Sequence, residues 1–573
     1  MPVFNLVDDP WLHGESAVPS STVAAGLDGR GYSLRELLLA SHRLAGVTVE
    51  IPTMFPALLR QVVLPVVVDA LGHPKTTADW LGRFRQGEFT PAERERLDSY
   101  LDEWRARFDL FDPIAPFGQA GGLHTAKGET KGAALLVATA ATGNNVPLFS
   151  SRTEGDTFAL TPGEAARWLL HTQCWDTAGI KTGAVHDSQA KSGKTTGNPT
   201  GPLGQLGVVV PMGRTLYETV WLNIPIRPDG RADRDVPHWR RAPQGAEWKV
   251  RSADGVLDLW TWQSRRIRLF PEDTTEGIRV TRVIVAAGDR LRELPEGEPH
   301  TAWTLPATGR ANAASAPMAR RPRRHQPGKA TWRGLDALLA ARRPEAPATA
   351  HKDGFATSLL VAQMRSVLSS LPPDYPLRID LTGVFYGNQS AVVDDIFHDA
   401  TPLPLQALSP DSSTRAAILD AVEKAEQLAR AVNILSADLR RAAGSEPIPW
   451  DRGQRPGELV LHGLDPLMRR MLTGLRAVDE DEALIQRGCL AWEQLAWRCT
   501  WQIADRVIST ALPSAFGGRT VQQNGRDVAF HLGSAVTDFR RRMREILHRA
   551  AEARAAAQAS NPVPASTEES VHA

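Results

Sequence analysis

Along the last third of the chain, apolar residues recur at spacings of three and four. Ile418, Val422, Ala425, Ala429, Val432, Leu435 and Leu439 fall on one helical face before Gly444 ends the pattern. A second such pattern covers 467–475, and a third runs through Ile485, Cys489, Trp492, Ala496, Cys499, Ile503 and Val507. A fourth contains Phe539, Met543, Ile546, Leu547 and Ala550. Four amphipathic helices in succession predict a helical bundle over 406–555. From Ala557 the sequence turns to small and polar residues, which predicts a disordered tail over 556–573.

The first 405 residues read differently. Phe4–Trp11 begins like a strand and runs into an Asp-Pro turn, and helical patterns follow at 33–44 and 54–71. At Thr161-Pro162-Gly163-Glu164 the chain carries a helix start: a capping hydroxyl, a Pro where no N–H is needed, and a Glu that completes a capping box. That helix should run through Trp168, Leu169 and Thr172 to about Trp175. Alternating, β-rich segments cover 208–211, 219–224, 257–270 and 279–286. The whole chain is therefore predicted to be α+β, a large mixed N-terminal domain over 1–405 followed by a four-helix bundle.

Between these segments lie two stretches that cannot bury a core. Residues 178–207 contain seven Gly and three Lys (Lys181, Lys191, Lys194) with hardly a large apolar side chain before Leu203, which predicts a long surface loop. Residues 320–329, Arg-Arg-Pro-Arg-Arg-His-Gln-Pro-Gly-Lys, carry five positive charges. Globally the 66 basic and 65 acidic side chains cancel to a net +1, so any affinity for nucleic acid must come from such local patches.

Catalytic chemistry is hard to find. Asp8/Asp9 and Asp394/Asp395 are adjacent acids, which point in different directions in either regular structure. The acidic run 479–482 precedes a helix, where it suits the dipole. Gly193-Lys194-Thr195 imitates the end of a phosphate-binding loop but lacks the Gly five residues earlier and a preceding strand. Cys174, Cys489 and Cys499 are too few and scattered for a disulfide framework or a metal pair. No catalytic residue, metal ligand or cofactor is expected. The acidic opening has no signal-peptide pattern and no uninterrupted apolar run is long enough to span a bilayer, so a cytoplasmic protein without a membrane partner is expected.

Several segments, in order, resemble the CasA family, the large subunit of the type I-E CRISPR surveillance complex Cascade. They are Phe4–Trp11, Phe111-Asp112-Pro113-Ile114-Ala115-Pro116-Phe117-Gly118-Gln119, the stretch from Leu160-Thr161-Pro162 to Gly179-Ile180-Lys181, Trp260-Thr261-Trp262-Gln263-Ser264-Arg265-Arg266, and Tyr386-Gly387-Asn388-Gln389. The resemblance implies a non-enzymatic subunit that recognises a short motif flanking the target in double-stranded DNA from the minor groove. It would promote strand separation and support recruitment of a helicase-nuclease.

Its implied partners are the CRISPR guide RNA, the other Cascade subunits, double-stranded target DNA and that effector. Carried over by position, Asn144, Asn145 and Phe149 would meet the guide RNA. Gly179, Lys181 and Gly183 would form a glycine loop against DNA, and Arg265 and Arg266 would stand where the family has a lysine finger. Asn388, Gln389 and Ser390 would form a wedge driven beneath the last recognised base pair. Two other readings stay open: a ribonucleoprotein scaffold without DNA contact, and a guide-RNA processing nuclease with His325 as its base.

Overall fold

A computed structural model describes residues 2–17, 27–142, 156–295, 297–305, 320–340, 354–449, 455–523 and 525–560. The chain forms two compact units, Met1–Pro372 with Pro376–Thr401, and Pro373–Tyr375 with Pro402–Ala573. The architecture is α+β.

In the first unit, Thr161 and Glu164 make the reciprocal capping box expected of them, and the helix they start, Pro162–Trp175, is buried along nearly its whole length. A second core helix spans Met54–Leu71. Among the described residues it alone has the length and apolarity to cross a membrane, yet 83% of it is buried inside the protein. Tryptophan supplies much of this core. Trp80, Trp175, Trp221, Trp239, Trp260, Trp262, Trp303 and Trp332 are all fully buried. Trp175 donates its indole N–H to the Thr53 carbonyl (2.9 Å) and Trp262 to that of Asp289 (2.9 Å), whereas the indole N–H groups of Trp221, Trp260 and Trp303 are buried without a hydrogen-bond partner among the described residues.

Two sheets frame the site described below. One is five-stranded, with Arg265–Thr274 and Gly277–Ala287 as its long antiparallel pair. The other joins Val208–Met212, Arg378–Gly387 and Val392–Pro402.

Three local expectations are corrected. Residues 219–224 lie mostly in a helix, Leu216–Leu222, capped by Thr215. Every residue of that helix is buried, so its sequence carries no one-sided period to read. The 257–270 stretch begins as the helix Val256–Trp260 and becomes a strand only at Arg265. Residues 178–207 are not a featureless loop: Gly179–Thr182 and Lys194–Asn198 pair as an antiparallel hairpin, followed by a turn of 3-10 helix at Pro202–Gln205. The glycines there serve close packing. A Cβ on Gly201 would stand 2.3 Å from the Cys174 carbonyl oxygen, and one on Gly204 would stand 2.4 Å from the Tyr386 hydroxyl.

In the second unit, Ser413–Ala442 packs against Pro456–Gly474, Glu482–Ser509 and Leu532–Ile546. Between the third and fourth of these helices stands a two-stranded hairpin, Arg519–Gln523 with Arg526–Phe530, which the sequence pattern did not predict. A last helix, His548–Ser560, continues past residue 555, where periodicity had placed the end of the bundle. Two of the acids at 479–482 act at helix N-termini. Asp481 accepts from the Leu484 N–H, while Glu480 accepts from the backbone of Ser413 and Thr414. Cys489 is buried and forms no disulfide.

Candidate nucleic-acid interface

The site grows from the end of the capped helix. At Trp175 the helix carbonyl accepts a 2.6 Å bond from the Tyr386 hydroxyl, which ties it to the strand Arg378–Gly387. Two residues past its C-cap, Asp176, the chain meets the turn at the end of that strand: the Ala178 N–H donates to the Ser390 carbonyl at 2.8 Å. Gly179 follows with φ of +110°, a conformation that disfavours a side chain, and opens the glycine strand. The two sequence elements assigned to the glycine loop and the wedge are thus adjacent, although more than two hundred residues separate them.

The turn itself is strained. Gln389 and Ser390 are consecutive non-glycine residues at φ of 56° and 61°. Each left-handed residue of this kind costs of the order of 1–3 kcal/mol and persists where the surroundings enforce it. Here the enforcement comes from the Ala178 bond, from the anchored Tyr386, and from the Asp394 carboxylate packed against Gly387. Asn388 and Gln389 are exposed at the tip, and Ser390 is half-buried. Gly179, Ile180, Lys181, Asn388 and Gln389 line one cleft of about 440 Å³, floored by His171 and Trp175.

Electrostatics beneath the cleft revise the other assignments. Lys181 places its ammonium 2.6 Å from the Asp176 carboxylate. Burial pulls the Lys181 pKa down, while Asp176 opposes it. Burial would raise Asp176, but Lys181 and Arg265 outweigh it and hold the carboxyl below its usual range. Arg265 is 1% exposed. Its guanidinium pairs with Asp176 and donates to the carbonyls of Thr177 (2.9 Å), Pro199 (2.7 Å) and Ser264 (2.8 Å). Arg266 is buried too, on Asp289 (2.7 Å) and the Glu247 carbonyl (2.9 Å).

Neither arginine presents a free guanidinium to a groove in this conformation. Arg265 is instead a clamp, joining the chain just before the glycine strand to the chain just after its partner strand. Gly183 is buried as well, and a Cβ there would stand 2.7 Å from the Gly193 carbonyl carbon, so it packs the hairpin and does not face solvent. Asn144, Asn145 and Phe149 lie outside the described residues.

Removing the clamp should loosen the hairpin specifically. Arg265→Met is expected to cost about 3 kcal/mol, the scale for breaking a buried pair. Hydrogen exchange should rise at the amides of 179–198 while the C-terminal helices keep theirs. Unchanged protection across the hairpin would refute the clamp.

The family profile of "CRISPR-associated protein Cse1" matches residues 5–503, nearly the whole chain. The chain belongs to the Cse1 family. A CasA/Cse1 protein of Thermus thermophilus is 26% identical to this Cse1-family chain over 480 residues, covering 82% of each. The crystal structure of Thermobifida fusca Cse1 superposes with a TM-score of 0.78 at 30% identity, over 96% of this chain and 99% of that one. A chain of a CRISPR RNA-guided surveillance complex shares the fold, with a TM-score of 0.62 at 21% identity, over 89% of this chain and 100% of that chain.

One side chain in the cleft of this Cse1-family chain escaped the sequence reading. Ile180 is 62% exposed beside Gly179, and nothing in a Gly/Lys-rich stretch marks an apolar residue as the outward one. His325, the candidate base of the nuclease reading, is half-buried, with its Nε2 3.1 Å from the Val208 carbonyl and its ring 5.3 Å from that of Phe397. Burial lowers its pKa to about 4, so near neutrality it is uncharged. Among the described residues no group of three or more His, Cys, Asp or Glu side chains converges as a metal site would require.

Proposed function

We propose that this chain is the large, non-enzymatic subunit of a cytoplasmic type I-E Cascade complex, and that it inspects duplex DNA for a short flanking motif and begins strand separation. The observation that carries this reading is the strained, exposed turn at Asn388–Ser390, hydrogen-bonded to the glycine strand across one cleft. Gly179 allows backbone to approach a groove closely, while the rigid turn offers two polar side chains to replace stacking as a base pair opens. Recognition from the minor groove separates A·T from G·C and little more, so several flanking motifs should be accepted. Sequence identity would then rest on guide pairing.

Arg265 and Arg266 hold the site's shape in this proposal, and Lys181 contributes charge only through its pair with Asp176. Asn144, Asn145 and Phe149 are proposed to meet the guide RNA, with Phe149 stacking on a splayed base. Recruitment of the helicase-nuclease through this subunit is part of the same reading.

The test is target binding by the assembled complex with and without this subunit, on duplexes that carry or lack the flanking motif. Motif-dependent binding should vanish without the subunit. Binding that is unchanged by its removal, with the complex still intact, would leave a scaffold and nothing more.

A further inference from the structure

The arginine-rich segment 320–329 plays no part in the duplex-opening reading. In the structure it is held in place by backbone pairing. Arg321–Pro322 pairs with Trp303–Thr304, and the Arg323 N–H donates to the Ala302 carbonyl at 2.8 Å. The chain then passes His325 across Val208 and enters the short helical turn Thr331–Gly334. Between this segment and the sheet lies a cleft of about 400 Å³, the size of a pocket for one small ligand.

Its lining is chemically lopsided. Arg323, Arg324, Lys329 and Arg333 contribute to it, and none of the described lining residues is a carboxylate. Arg323 is balanced by Asp336 at 3.0 Å, outside the lining. Arg324 donates to the Gln205 carbonyl at 3.3 Å, and neither it nor Lys329 sits in an ion pair among the described residues. Both are exposed at the rim. Two aromatic rings also line it: Phe355, with the Arg323 guanidinium 4.5 Å from its centre, and Phe397, whose ring lies 5.3 Å from that of His325. Cations at the mouth and aromatic rings on the wall fit a phosphate and a base joined by a sugar. A stacked duplex cannot offer that pair, because its bases are not splayed from the phosphates.

We propose that this cleft binds one unstacked nucleotide of a single-stranded nucleic acid, its phosphate against Arg324 and Lys329 and its base against Phe397. The site shares no residue with the wedge cleft, so it stands or falls apart from the duplex-opening reading.

The test uses the full chain and fluorescence anisotropy with short labelled RNA, DNA of the same sequence, and the blunt duplex, in a salt series. Arg324→Glu with Lys329→Glu should weaken single-strand binding about tenfold and flatten the salt slope by about 0.7 per lost phosphate contact. Phe397→Ala should weaken it about fivefold at one salt concentration and leave the slope unchanged, because stacking releases no counterions. The neutral pair Arg324→Ala with Lys329→Ala should act in the same direction with an unaltered thermal melt. A preference for RNA would indicate a guide strand and equal affinity a backbone reader, and both support the proposal. Unchanged single-strand binding in the charge variants, or equal losses on the duplex, would overturn it.

Discussion

Replacing Asn388 and Gln389 together with alanine should slow target opening on fully paired DNA by roughly ten- to a hundredfold, since unstacking costs a few kcal/mol per step and the wedge offsets part of it. Folding should survive, because both side chains are exposed and the turn is enforced by Ala178, Tyr386 and Asp394, none of which is altered. Alanine at 389 meets the same left-handed strain as glutamine, so the variant separates side-chain chemistry from backbone shape. A target pre-melted beside the flanking motif should restore the rate, as the wedge's task is then already complete. Equal impairment on both targets would mean that these residues position the protein and do not part strands. Gln389→Gly is the complementary variant. It relieves strain at φ of 56° and should lower the rate by letting the tip move, even on a duplex the side chain never enters.

How much of this was legible in the sequence depended on whether the signal was local. The capping box at Thr161 and Glu164 and the long helical stripe ending at Gly444 were readable, because each depends on residues a few positions apart. The glycine hairpin was not. Its strands carry few apolar side chains, and its glycines answer to partners far off in sequence, as Gly204 does to Tyr386. The same limit misdirected Arg265 and Arg266. A basic pair in a motif order invites a groove contact, and only the fold reveals Asp176 and Asp289 beside them. Asn388–Ser390 presents the opposite case, where the sequence marked the turn but gave no hint of two successive left-handed residues.

The largest stability effect should come from Glu298→Gln, at about 3–5 kcal/mol, because it strands a buried guanidinium. Arg60, inside the core helix Met54–Leu71, donates to both Glu298 oxygens at 2.7 and 2.9 Å, with the two side chains 2% and 0% exposed. Burial would raise the Glu298 pKa, but Arg60 and the neighbouring His300 bring it down to about 2. A depressed carboxyl contributes stability that is complete above its ordinary value of 4.5 and is lost as pH falls from there toward 2. Buried histidines act earlier. Desolvation lowers His73 and His325 to about 4, and His171 and His238 to about 3, from an ordinary 6.5. Between those values the unfolded chain holds protons that the folded one excludes, so stability is full above pH 6.5 and falls as pH drops below it. Wild-type unfolding midpoints should therefore decline below pH 6.5 and steepen below 4.5. Glu298→Gln should lower the whole curve and make its acid limb less steep, with Asp176 still contributing to that limb. Replacing both partners, Arg60→Met with Glu298→Leu, should recover most of the loss, since an apolar pair leaves no buried charge behind. Failure of that double variant to recover would show that the ion pair orders the helix by geometry that apolar packing cannot supply.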